Sequence, residues 1–93
     1  EQEKYYSRNM VNLVYFARLR EALGLDSEKV TLPQDVGDVA SLTQWLRGRG
    51  KVWDTELAPG NSVRVAVNLE VAEQSTCIAD GDEVAFFPPV TGG

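Results

Sequence analysis

Ninety-three residues, 43% hydrophobic and 25% charged, are enough for one ordinary globular domain with one modest core. Fourteen acidic against nine basic side chains give a net charge of −5, which works against a nucleic-acid partner. Histidine is absent and cysteine occurs once, at Cys77. These counts exclude Ser-His and Cys-His nucleophile pairs, an internal disulfide framework and the commonest zinc ligand.

Residues 1–9 carry charge without an apolar stretch, and Met10, the only methionine, opens a strand pattern. Residues 1–9 are therefore expected to be an extension or an expression remnant. Residues 11–16, β-branched and aromatic, read as a first strand whose two faces, Val11, Leu13, Tyr15 and Asn12, Val14, Phe16, are both expected to be covered. A short helix is predicted over 17–23, with Gly24 ending it, then a strand over 28–32 stopped by Pro33. Asp38 is placed to cap a helix over 39–47 that carries Val39, Leu42 and Leu46 on one face, with Gly48 and Gly50 closing it. Trp53 and Leu57 are expected to pack from an irregular segment. After a turn at Pro59-Gly60-Asn61, residues 63–68 alternate as a strand, and 71–77 read as a weak edge strand. Asp80-Gly81-Asp82 supplies a tight turn into the last strand, 83–87. The whole is a compact α+β domain in which the first and last strands sit side by side, and its longest apolar runs fall far short of a membrane span.

The chemistry concentrates at the C-terminal end. Pro88 and Pro89 have no N–H to donate, so they stop the ladder and make a stiff extended stem. Val90 and Thr91 follow, then Gly92 and Gly93, narrow enough to thread a channel. At ordinary glycine usage such a pair at the very end arises by chance in about one chain in two hundred. A carboxylate is a poor electrophile and needs activation, for example as an acyl-adenylate. No nucleotide-binding Gly-rich loop is present, so another protein must supply that step. Phe86 and Phe87 alternate, leaving one for the core and one, joined by Phe16, for a partner. The competing features have blander readings. Asp80 and Asp82 fit turn chemistry better than metal ligation, and Cys77 fits a small packing residue. Glu70 and Glu73 show no partner spaced for acid/base work. Arg18, Arg20, Arg47, Arg49 and Lys51 fit solvated helix faces and dipole contacts.

From Met10 to Gly93 the chain resembles the small, sulfur-carrying subunit of molybdopterin synthase, of the ubiquitin-like β-grasp family. The matching segments are residues 14–21, Val65-Ala66-Val67-Asn68 and, most particular, the run from Asp80 to Gly93 with its Phe-Phe-Pro-Pro-Val-Thr-Gly-Gly ending. The resemblance implies a mixed sheet with the first and last strands parallel, the helix at 39–47 packed across it, a domain over 10–87 and a reactive tail over 88–93. It implies that an ATP-dependent activating enzyme adenylates Gly93 and that a sulfur donor protein turns it into a thiocarboxylate. The tail would then enter the large synthase subunit, in a heterotetramer, and donate sulfur to a cyclic pyranopterin monophosphate. Gly92 would give channel access. Phe16, Val71 and Phe87, with Pro88, Pro89, Val90 and Thr91, would contact the partners. Val71 stands where the family often has a larger aliphatic. The chain itself would be non-catalytic, cytoplasmic and free of bound cofactor, metal, nucleic acid or membrane. Two alternatives from the same fold are a sulfur carrier for thiamine or tRNA thiolation and a ubiquitin-like modifier forming isopeptide bonds; a purely structural module is the third.

Overall fold

The computed structural model describes residues 9–89. Strand β1 (Asn9–Tyr15) starts two residues before the expected position, because Asn9 and Met10 pair with Leu32 and Thr31 of β2 (Ser27–Leu32). Helix α1 (Ala17–Leu23) follows β1 after a single residue. Ala17, at a φ of 54°, makes the sharp change of direction, and Gly24, at a φ of 78°, ends the helix with its amide on the Arg20 carbonyl.

Helix α2 (Val39–Arg47) begins at the predicted cap. The Asp38 carboxylate accepts from the Ser41 amide at 2.9 Å, and the Ser41 hydroxyl accepts from the Asp38 amide at 3.2 Å. This reciprocal box satisfies amides that the helix itself leaves unpaired. The next two amides, of Val39 and Ala40, donate to the carbonyls of Thr76 and Gln74. That contact explains one departure from expectation. Only Val71, with Glu70, forms strand β4 (Glu70–Val71); the stretch to Cys77 is a loop that spends its carbonyls on the start of α2. Cys77 is exposed rather than packed, and its backbone bridges Asp38.

A second departure lies at 51–57. These residues form a further helix, α3 (Lys51–Glu56), where an irregular segment is expected, and Gly50 begins it instead of closing α2. Six residues without a side-chain cap give almost no local signal, and such a helix depends on its neighbours. Leu57 is buried at its end, and Trp53 lies edge-on to Tyr15 at 5.6 Å.

Strands β3 (Arg64–Val67) and β5 (Glu83–Phe87) complete a five-stranded sheet in the order β2-β1-β5-β3-β4. The expected adjacency is present: β1 and β5 run parallel, and every other pairing is antiparallel. Alternation sends Val11, Leu13 and Tyr15 of β1, with Val84 and Phe86 of β5, to one face. There they form one core with Leu19 of α1 and with Val39, Leu42 and Leu46 of α2. The opposite face is not covered as expected. Asn12 and Phe16 are exposed and Val14 is half-buried, because the core helices pack against the other side.

Candidate functional site

The uncovered face of the sheet can be built row by row from the strand register. Val14 lies opposite Ala85, Ala85 opposite Ala66, and Ala66 opposite Val71, so four apolar residues from four strands cross the sheet in one line. One step toward the end of β5, Phe87 lies opposite Arg64. The Phe16 amide donates to the Phe86 carbonyl at 3.1 Å, which extends the parallel ladder and brings Phe16 level with Phe87. Phe16 is 46% exposed and Val71 67% exposed, whereas Phe87, Pro88 and Pro89 are half-buried. The opposite row of the same strands, Tyr15 and Phe86, is fully buried and stacked at 5.8 Å.

Thus three residues expected to meet a partner, Phe16, Val71 and Phe87, share one face, and the Pro88-Pro89 stem leaves from its edge. Val90, Thr91, Gly92 and Gly93 lie outside the described residues. A contiguous apolar strip flanked by an exposed and a half-buried phenylalanine on a small domain is the physical signature of an interaction surface.

The polar candidates resolve into structural roles. Asp82 accepts from the Asn68 side chain at 2.9 Å and from the Ala79 amide at 2.8 Å, and Asp80 accepts from the Met10 amide at 2.7 Å. These carboxylates hold the turn before β5, at whose centre Gly81 adopts a φ of 90°. Arg18 and Arg20 are exposed as expected, whereas the side chains of Arg47 and Arg49 are less solvated than their sequence suggests. Arg49 donates to Glu28 at 2.7 and 3.3 Å while its guanidinium lies 4.7 Å from the Trp53 ring and 5.2 Å from the Trp45 ring. Glu28 also accepts from the Tyr15 hydroxyl at 2.8 Å. Burial first, and that hydrogen bond second, push the Tyr15 phenol well above its ordinary pKa. Arg18 makes two 3.1 Å bonds to Glu56, a carboxylate only 8% exposed at the end of α3. Arg47 pairs with Asp54 at the edge of a cleft of about 400 Å³, floored by Leu57, Val65 and Phe86 on the helix side of the sheet.

Sequence reasoning missed Leu69. It is 87% exposed at the tip of the two-residue turn joining β3 to β4, with a φ of 72°. The signal was available: Asn68-Leu69 between two strand residues reads as a hairpin turn with a bulky apolar group where glycine is usual.

The fold and the exposed face define a ubiquitin-like β-grasp protein. A solved structure of similar form is SAMP1 from Haloferax volcanii, at a TM-score of 0.73 and 28% identity, covering 90% of this chain and 99% of that one. Residues 13–93 match the ThiS family, and the chain belongs to it. Among relatives, the molybdopterin synthase sulfur carrier subunit of Escherichia coli is 38% identical and that of Haemophilus influenzae 36% identical, each over 90% of this chain and 100% of the relative.

Proposed function

We propose that this protein is the sulfur carrier of molybdenum cofactor biosynthesis, the small non-catalytic subunit of a molybdopterin synthase. The observation that carries the reading is full-length likeness to sulfur carrier subunits, matched to a sheet face whose apolar row crosses β5, the strand that leads into the tail. Gly93 carries the sulfur. An activating enzyme joins its carboxylate to AMP from ATP with loss of pyrophosphate. Sulfur at the oxidation level of sulfide, delivered by a sulfur donor protein, then displaces AMP and leaves a thiocarboxylate. In the large subunit the sulfur passes to a cyclic pyranopterin monophosphate, and hydrolysis by water returns the acyl end to a carboxylate for another cycle.

The chain supplies three things to this sequence. The face bearing Phe16, Val71 and Phe87 binds the activating enzyme and the large subunit in turn. The Pro88-Pro89 stem holds the tail off the sheet, since neither residue can extend the ladder. Val90 and Thr91 contact the partners, and Gly92, without a side chain, lets the tail enter a narrow channel. The chain needs no bound cofactor or metal of its own for these roles. The steps belong in the cytoplasm, where the free thiol of Cys77 also fits.

A second reading, a protein modifier, is favoured by the likeness to SAMP1, named in full a small archaeal modifier protein. Mass spectrometry separates the two after incubation with ATP, the activating enzyme and sulfide. A carrier gains sulfur in place of one oxygen and stays free; a modifier appears attached to larger proteins. Co-purification of the large subunit completes the test, and its absence together with conjugate formation overturns the carrier reading.

A further inference from the structure

We propose that Leu69 is a partner-contact residue, extending the docking face beyond Val71 into an apolar recess of the large synthase subunit. The inference rests on the carrier reading above. Leu69 is 87% exposed, so its side chain adds little to this domain's core. A lone exposed leucine is ordinary on a protein surface. This one is also held at a φ of 72°, at the second of two turn residues that both have positive φ, where glycine is free of strain. Two local rules are broken at one position, and among the described residues Leu69 is not part of the hydrophobic core. Such a position points to selection by something outside the chain.

The tip is also well anchored. The Asn68 amide donates to the Glu83 carbonyl at 2.8 Å, its side-chain oxygen accepts from the Glu83 amide at 3.0 Å, and its side-chain nitrogen donates to Asp82 at 2.9 Å. Leucine is therefore presented from a pinned hairpin and loses little backbone freedom on binding. Continuity identifies the occupant. Val71 lies two residues on, 67% exposed, at the end of the apolar row that crosses the sheet from Val14. A partner seated on that row meets Leu69 at its rim, and a recess shaped for leucine distinguishes this chain from a carrier with a polar turn.

The test uses the full chain and the large synthase subunit from the same organism, with affinity by calorimetry and stability by thermal melts. Leu69→Gly is expected to bind about tenfold more weakly while melting no lower than the parent, because glycine relieves the strained φ. Leu69→Met is expected to keep the affinity. An affinity for Leu69→Gly within about twofold of the parent, or weaker binding with an equally lowered melting temperature, overturns the inference. Phe16→Glu, run in parallel, keeps the two readings apart. Weak binding by Phe16→Glu with normal binding by Leu69→Gly leaves the docking face standing and removes Leu69 from it. Failure of the parent chain to bind at all removes both.

Discussion

Phe86 is fully buried against Tyr15, whereas Phe87 emerges on the other face, level with Phe16. Truncating each to alanine is expected to separate core from surface. Phe86→Ala removes a packed ring and should cost about 3–5 kcal/mol, enough to unfold much of a small domain. Phe87→Ala and Phe16→Glu should leave the melting curve nearly unchanged and weaken association with the large subunit, as read by circular dichroism and calorimetry. The reverse pattern would exchange the two faces. Asp38 offers a test by pH. Hydrogen bonds from the Ser41 side chain and amide hold its carboxyl below the ordinary range. A carboxyl depressed on folding adds stability that is present above its unfolded pKa and lost as pH falls through the folded value. Asp38→Asn should therefore be less stable than the parent at pH 6, and the gap should close as melts are taken below about pH 4.

At the scale of elements, the tail and its stem make the sharpest prediction. Deleting Gly93, or adding one residue after it, should abolish sulfur transfer from pre-formed thiocarboxylate while leaving docking intact. Deletion draws the reactive end back by roughly 3.5 Å, and a 1 Å misplacement already costs about a hundredfold in rate. A bulky residue at position 92 should fail by blocking the path. Near-normal transfer by a chain ending at Gly92 would end the assignment. The elements that declared themselves in sequence are those with local punctuation: α1 with Gly24, α2 with Asp38, and β5 between the Asp80-Gly81-Asp82 turn and the two prolines. That Phe16 and Phe87 share a face was legible through alternation, and Val71 joined them through resemblance alone; neither gave the register that aligns them. Helix α3 was not legible, since a six-residue segment without a capping side chain needs Leu57 and Trp53 to be seated first. Nor were the Arg49–Glu28 and Arg18–Glu56 pairs, which join residues 21 and 38 positions apart. The exposed loop holding Cys77 escaped notice because its carbonyls serve α2, a contact that no local pattern encodes.

Across the whole molecule, the last described strand is also the middle one: β5 lies between β1 and β3, parallel to the strand with which the sheet begins. Removing residues 82–93 should therefore unfold the domain, whereas stopping after Phe87 should leave a cooperative melt; a folded product from the longer deletion would contradict this topology. The same placement has a consequence in time. Synthesis runs from the first strand to the last, and the pairing of Leu13 with Val84 spans almost the entire domain, so its ordering entropy falls due late. Until β5 is made, β1 and β3 have no common neighbour and the sheet stays in two parts. The residues that seal it lie immediately before the stem, so a half-finished chain has neither a closed core nor a tail to activate. On the carrier reading proposed above, the strand that closes the core is thus made just ahead of the segment that carries the sulfur.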